Sequence, residues 1–200
     1  QTSGSTGKPK AIQMPKTALR ASAMQTGSFF ELSAGDTALL CLPVQYIAGK
    51  MMVVRALVLG LALDILPPTT QLTITKTYDF AALIPLQVMA SFEQLGRLNK
   101  VLIGGAPISA ELRKSIAQSH VQCTETYGMT ETLTHVATRP VTDPMVPFQA
   151  LPGIGITTDD NDCLVLEVPY VSNAPIVTQD VVRLHGKDSF WLLGRRDWVI

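Results

Sequence analysis

Lys100-Val101-Leu102-Ile103-Gly104-Gly105-Ala106-Pro107-Ile108-Ser109 runs into the segment Ala110 to Gln118 and then into Val121-Gln122-Cys123-Thr124. The first block reads as a short buried strand stopped by a Gly-Gly-Ala-Pro turn, the second has helical spacing, and the third is strand-like again. Strand, turn, helix, strand is the pattern of a parallel crossover, because two parallel strands need a long connection between them. Outward from this unit the pattern repeats. Lys16 to Leu32 carries Ala18, Leu19, Ala23, Met24 and Phe30 at helical spacing, ends in Ser33-Ala34-Gly35-Asp36, and is followed by a strand-like run, Thr37 to Leu42. Gly49 to Gly60 reads as a helix packed nearly all round, and Leu61 to Leu66 as a strand halted by Pro67-Pro68. Phe80 to Ile84 and Leu86 to Leu95 add another strand and helix. The fold class expected is therefore α/β with parallel strands.

Past Ala137 the texture changes. Pro140, Pro144, Pro147 and Pro152 punctuate a stretch without helical periodicity, and Cys163 to Val168, Ile176 to Leu184 and Ser189 to Leu193 follow as candidate antiparallel strands. We place the change of organisation between Pro147 and Pro152, giving an α/β core over 1–149 and a smaller β region over 150–200. The 200 residues suffice for one large domain or one and a half small ones.

Sixteen Lys and Arg balance sixteen Asp and Glu, so the bulk charge favours neither nucleic acid nor an anionic membrane. Cys41, Cys123 and Cys163 form no C-x-x-C pair, which argues against a disulfide framework or a zinc site and for a reducing, cytoplasmic compartment. Met51 to Leu66 is interrupted by Arg55 and Asp64, so no membrane anchor is expected, and Gln1 to Lys10 lacks the apolar core of a signal peptide. Opening at Gln1 inside one motif and closing at Ile200 just after another, the chain reads as a piece of a longer protein.

Five clusters carry groups suited to chemistry. Thr2-Ser3-Gly4-Ser5-Thr6-Gly7-Lys8-Pro9-Lys10 has the hydroxyls, glycines and lysines of a loop that wraps phosphate oxygens, although a solvated linker has the same composition. It is not a Walker loop, because its glycines are too close together and Pro follows Lys8. Thr126-Tyr127-Gly128-Met129-Thr130-Glu131-Thr132 follows a strand and offers an aromatic face, a hydroxyl and a hard carboxylate; a strand-to-helix turn capped by Thr130 and Glu131 is the plainer reading. Gly104-Gly105-Ala106-Pro107 lets a flat ligand approach bare backbone, or is simply a turn ahead of a helix capped by Ser109. Thr178-Gln179-Asp180 sets a carboxylate in an apolar strand, and Gly194-Arg195-Arg196-Asp197 groups two guanidinium groups with an acid.

Taken in order, and with Leu42-Pro43-Val44-Gln45-Tyr46-Ile47-Ala48-Gly49 between the first and the next, these motifs closely resemble the adenylate-forming superfamily of acyl-CoA synthetases, luciferases and peptide-synthetase adenylation domains. The resemblance spans essentially the whole chain. It implies the parallel-sheet layer of that superfamily's large domain followed by a small antiparallel region. It also implies that Thr2, Ser3, Ser5, Thr6, Gly7 and Lys8 close over the β- and γ-phosphates of ATP, with Lys10 ending the motif. By the same resemblance Thr130 holds the α-phosphate, Glu131 binds Mg²⁺, Thr126 and Tyr127 meet the adenosine with Tyr127 stacked on adenine, and Gly104, Gly105 and Ala106 form the opposite wall. Asp180 takes the ribose hydroxyls, Arg195 lies beside ribose and phosphate, and Asp197 matches the hinge to a C-terminal domain. That domain and the family's first N-terminal residues have no counterpart here. The family's Thr-Gly-Asp is Thr178-Gln179-Asp180, and Ala11 stands where Gly usually follows the phosphate loop.

Leu42 to Met52, Ile103 to Ser109 and Glu125 to His135 resemble in particular the o-succinylbenzoate–CoA ligases of menaquinone biosynthesis, which implies o-succinylbenzoate and coenzyme A as further substrates and o-succinylbenzoyl-CoA as product. The second carboxylate of such an acid wants a cation or several donors, for which Lys50, Arg55, Ser109, Thr132 and His135 are the candidates, while Tyr46 reads as a wall of the acyl pocket or equally as a core aromatic. Another aryl or acyl-CoA ligase differs only in that pocket. A non-catalytic nucleotide-binding or dimerisation module is the reading from a different class. Homo-oligomerisation is left open by the sequence.

Overall fold

The computed structural model describes residues 12–119, 121–142 and 145–196. One sheet of eleven strands runs through it in the order β2-β1-β3-β4-β5-β6-β7-β11-β10-β9-β8. The first five strands are β1 (Thr37–Leu40), β2 (Ala62–Ile65), β3 (Tyr78–Leu83), β4 (Leu98–Ile103) and β5 (Gln122–Gly128), all parallel to one another. From β6 (His135–Pro140) onward every pairing is antiparallel, through β7 (Phe148–Ala150), β8 (Gly155–Thr158), β9 (Cys163–Glu167), β10 (Ile176–Leu184) and β11 (Ser189–Arg195).

Alternation builds a core on each face of the parallel part. Leu39 and Cys41 point to one, with Val88, Leu112 and Ile116, while Ala38, Leu40 and Leu42 point to the other, with Phe30, Met52 and Ala56. Helices α1 (Lys16–Phe30) and α2 (Ile47–Leu59) cover one face, and α3 (Pro85–Ala90) and α4 (Ala110–Ala117) the other. A third core, including Tyr127, Phe148, Leu164 and Phe190, fills the antiparallel region.

The elements follow their sequence signals closely, with instructive exceptions. Ser109 caps α4 by accepting from the Leu112 N–H at 3.2 Å, as its hydroxyl predicts. The run Leu86 to Leu95 is not one helix: α3 stops at Ala90 and a 3₁₀ turn, Phe92–Arg97, follows. Apolar composition suggests that α2 is packed all round, yet Leu57 is 80% exposed, because nothing covers its outer side among the described residues. β5 continues four residues beyond the expected end at Thr124, through Glu125, Thr126, Tyr127 and Gly128, and returns through a tight turn into antiparallel β6, so the strand-to-helix turn is not formed. β7 carries the sheet across residues 148–150, pairing on one side with β6 and on the other with β11.

Gly128 makes the return possible. A Cβ there would lie 2.2 Å from the Thr134 carbonyl oxygen and 2.6 Å from the His135 Cα, where the β5–β6 register shifts. Gly96, by contrast, has nothing within 4 Å of an added Cβ. We expect Gly128→Ala to lower unfolding free energy by about 2–3 kcal/mol through overpacking against backbone, and Gly96→Ala to change it by no more than about 0.5 kcal/mol. Urea unfolding midpoints of the two variants check this, and equal midpoints contradict it.

Candidate functional site

The carboxyl ends of β4 and β5 are neighbours, with Ile103 paired to Glu125, so the Gly104-Gly105-Ala106 turn and the segment Thr126-Tyr127-Gly128 leave the sheet side by side. Open α/β sheets place their ligand crevices at this edge. Gly104 packs against β5 so tightly that a Cβ would sit 2.7 Å from the Thr126 Oγ1, whose hydroxyl donates to the Ile103 carbonyl at 3.1 Å. Gly105 turns the chain outward with a φ of +83°, and both Gly105 and Ala106 are exposed.

Tyr127 has a long reach. Its hydroxyl donates to the Asp180 Oδ2 at 2.5 Å, although β5 and β10 are four strands apart in the sheet order. Laid flat, four steps would separate them by roughly 19 Å. The antiparallel half of the sheet must therefore curl until β10 faces β5, with the Tyr127 ring inside the curl. There it meets Phe190 edge-on at 5.2 Å and Phe148 at 6.0 Å, and only 7% of the residue stays exposed. Most of the ring thus belongs to the core, and its hydroxyl orients a carboxylate. Burial first, and then the Asp180 charge, push the Tyr127 hydroxyl far above the ordinary tyrosine range, so it remains a proton donor.

Asp180 sits in an irregular stretch of β10. Its register with β9 slips between Val177 and Val181, and Thr178 and Asp180 are both buried while Gln179 is exposed. The Asp180 N–H donates to the Thr178 Oγ1 at 3.1 Å. Gln179, standing where a glycine is usual, has no positive φ, so its side chain causes no strain. Arg195 pairs across the strand with Asp180, its Nη1 3.6 Å from Oδ1 and its side chain 41% exposed. Tyr127, Asp180 and Arg195 thus meet in one corner at the carboxyl end of β5, where the second Asp180 oxygen faces a part-exposed guanidinium, while Thr126, next along the strand, packs on the Gly104 turn.

The turn from β5 to β6 holds the next group. Thr130 is half-buried and its carbonyl accepts from the Leu133 N–H, whereas Glu131 is exposed. Thr132 is fully buried, its hydroxyl accepting from the Met129 N–H at 3.0 Å and lying 2.7 Å from the Thr134 carbonyl. It latches the turn and presents no hydroxyl to a ligand, contrary to the pocket expectation. Among the described residues no group of three or more His, Cys, Asp or Glu could hold a metal ion. Glu131 as a lone carboxylate still suits Mg²⁺, which is commonly held by one or two carboxylates together with substrate phosphates.

Arg55 is the least expected feature. It is 1% exposed, and its guanidinium donates to the Thr26 Oγ1 at 3.1 Å, the Met52 Sδ at 3.7 Å and the Thr134 Oγ1 at 2.7 Å. Among the described residues no carboxylate pairs with it. Burial lowers its pKa to about 10, which leaves it charged at neutral pH. His135 lies beside it, with Nδ1 3.2 Å from the Thr134 Oγ1 and Nε2 buried without a hydrogen-bond partner among the described residues. Burial, and then the Arg55 charge, hold His135 well below the usual histidine range.

The other pocket candidates do not join this pair: Tyr46 is 46% exposed at the start of α2, Lys50 is exposed on its first turn, and the Ser109 hydroxyl is occupied as a cap. Thr2, Ser3, Ser5, Thr6, Gly7, Lys8 and Asp197 lie outside the described residues. Sequence reasoning passed over Glu125, which is buried and accepts from Arg113 Nη2 at 2.6 Å and Arg139 Nε at 2.5 Å. Its place two residues before Tyr127 in a strand, hence on the same face, was the available signal.

Comparison with known proteins bears on this arrangement. A family model described as AMP-binding enzyme matches residues 2–173. An acyl-CoA synthetase (AMP-forming)/AMP-acid ligase II-like protein from Dyadobacter fermentans is 38% identical with a TM-score of 0.87, covering 100% of this chain and 60% of its own. An o-succinylbenzoate coenzyme A synthetase from Bacillus subtilis, in complex with AMP, shares the fold at 18% identity and a TM-score of 0.86, over 100% of this chain and 49% of its own. A 2-succinylbenzoate–CoA ligase from Bacillus cytotoxicus is 27% identical over 148 residues, 68% of this chain. The chain spans 31% of that relative's length.

The histidine supplies a test of the site's electrostatics. A native pKa held below the unfolded value means that below about pH 6.5 the unfolded chain takes up a proton that the folded chain refuses, so stability falls with acidification. We expect the wild type to lose more unfolding free energy between pH 7.5 and 5.5 than His135→Asn, measured by urea denaturation; parallel curves contradict a buried neutral imidazole.

Proposed function

The chain belongs to the AMP-binding enzyme family, and we propose that it forms the nucleotide- and acid-binding part of an AMP-forming acid–CoA ligase. The observation that carries the proposal is that Asp180, fixed by the Tyr127 hydroxyl and faced by Arg195, is held at the end of β5, whose neighbour β4 ends in the bare backbone of Gly104 and Gly105. A carboxylate with one oxygen held by Tyr127 and the other facing the part-exposed Arg195 guanidinium suits vicinal ribose hydroxyls, which are two donors at fixed spacing. Adenine then lies between the glycine turn and the uncovered part of the Tyr127 ring, with Ala106 and Thr126 at its sides.

From there the phosphates extend toward Thr130, whose hydroxyl meets the α-phosphate, and toward Thr2, Ser3, Ser5, Thr6, Gly7 and Lys8, which close over the β- and γ-phosphates. Glu131 would hold Mg²⁺, which when bound offsets charge developing on the phosphates. An oxygen of the substrate carboxylate attacks the α-phosphorus, pyrophosphate departs, and an acyl-adenylate forms. No general base is needed, because a carboxylic acid is already ionised at neutral pH. The thiol of coenzyme A then attacks the acyl carbon and AMP leaves, with Asp197 at the hinge between the two steps.

For the acid we propose o-succinylbenzoate, converted to o-succinylbenzoyl-CoA in menaquinone biosynthesis and in the cytoplasm. The similarity to 2-succinylbenzoate–CoA ligases supports this, and so does Arg55, a buried guanidinium without a described carboxylate partner, which suits the acid's second carboxylate. Since the chain spans 31% of that relative, we expect residues 1–200 alone to bind AMP without catalysing.

Calorimetry with AMP and a pyrophosphate-release assay with ATP, Mg²⁺ and a panel of mono- and dicarboxylic acids test this together. Expected are saturable AMP binding to residues 1–200, loss of at least about tenfold in affinity for Asp180→Ala, and no pyrophosphate release. In a version extended to the length of its relatives, release selective for o-succinylbenzoate is expected. Absence of AMP binding overturns the nucleotide site, and selective turnover of another acid overturns only the acid assignment.

A further inference from the structure

A single row of side chains crosses four strands behind the corner. Glu125 on β5 pairs with Arg139 on β6, and Phe148 on β7 pairs with Phe190 on β11. The β6–β7 register, Thr138 to Gln149, places Phe148 opposite Arg139. Residues directly opposite one another in a sheet point to the same face, so these four form one continuous line. Their contacts agree. Glu125 Oε2 accepts from Arg139 Nε at 2.5 Å, the Arg139 guanidinium carbon lies 4.3 Å from the Phe148 ring centre, and Phe148 stacks on Phe190 at 5.6 Å with an interplanar angle of 25°. Tyr127, one pair along, leans its ring into this line with only Ala137 and Ala150 beside it in the neighbouring strands.

We propose that Arg139, held by Glu125, is a positioning residue for the nucleotide corner: it presses the Phe148–Phe190 wall against Tyr127 and so fixes the hydroxyl that orients Asp180. The inference rests on the nucleotide reading of that corner. A guanidinium over an aromatic face is attracted by the ring's negative quadrupole, and Glu125 keeps the guanidinium in place. Arg113 shares the same carboxylate oxygen but turns the other way, anchoring to the Val141 carbonyl at 3.0 Å. The two arginines therefore make equivalent ion pairs with Glu125, and only Arg139 touches the aromatic wall.

That asymmetry separates positioning from mere support. Arg139→Met removes a part-buried cation and Arg113→Met a buried one that also holds the Val141 carbonyl, each leaves Glu125 its other guanidinium, and the urea midpoints measure what each change costs the fold. Phe148→Leu removes the wall while leaving every charge paired. AMP titration by calorimetry, with urea midpoints as the measure of folding, is the experiment. We expect Arg139→Met and Phe148→Leu to lose AMP affinity by about fivefold or more, Arg113→Met to stay within about twofold, and Arg139→Lys to recover part of the loss. If Arg139→Met does not fold, Phe148→Leu against Arg113→Met carries the comparison. Equal affinities for the Met variants, or an unaffected Phe148→Leu, overturn the positioning role while wild-type AMP binding upholds the site. Failure of the wild type to bind AMP overturns the site itself, and the positioning role with it.

Discussion

The 2.5 Å hydrogen bond from Tyr127 to Asp180 is the contact on which the arrangement of this protein turns. It joins the last parallel strand to a strand four places away in the sheet, and it can exist only because the antiparallel half curls back. Curling requires an interior to pack, which Phe148, Phe190, Leu164 and Leu166 supply. It also requires a sharp return from β5 to β6, which Gly128 permits by lacking a Cβ. The same bond holds a carboxylate in place at the carboxyl edge of the parallel strands, where the glycine turn after β4 leaves backbone bare. Fold and candidate site are consequences of one closure.

Two buried charge systems flank that closure and differ in kind. Glu125 is compensated by two guanidinium groups and ties β5 to β6 and α4. Arg55 is held by hydroxyls and a thioether, with an uncharged His135 beside it. A buried ion without a counter-ion is costly, and a folded protein keeps one where something else is gained. In the reading argued above, the gain is recognition of an acid's distant carboxylate, with the low pKa of His135 preventing a second positive charge from competing with Arg55.

The parallel half was legible from the chain because its central strands β1, β3 and β4 are largely buried and helices alternate with them. Thr37 to Leu42, Phe80 to Ile84 and Ala110 to Gln118 fall within a residue or two of the observed elements. The short strands β6, β7 and β8 were not. Phe148–Ala150 has three residues, too few for periodicity to register, and prolines surround it. Among the residues singled out by motif, Tyr127, Asp180 and Arg195 touch one another, whereas Gly104 packs on Thr126. Their motif could not reveal that the tyrosine hydroxyl serves the aspartate, because that contact depends on sheet curvature. Ser109 caps its helix, as the plainer sequence reading had it, and Thr132, named among the pocket candidates, serves the backbone too, as a hydroxyl near a turn most often does.

The central claim is that Asp180 is aimed at ribose, and the ligand tests it more directly than any substitution. Competition between AMP and 2′,3′-dideoxy-AMP for residues 1–200, followed by calorimetry, isolates the two hydroxyls that the carboxylate is held to receive. The account predicts that the dideoxy nucleotide binds at least about tenfold more weakly, since a buried acceptor is left without its donors. Equal affinity would mean that Asp180 serves only to close the sheet, and the corner would have to be read as structure alone.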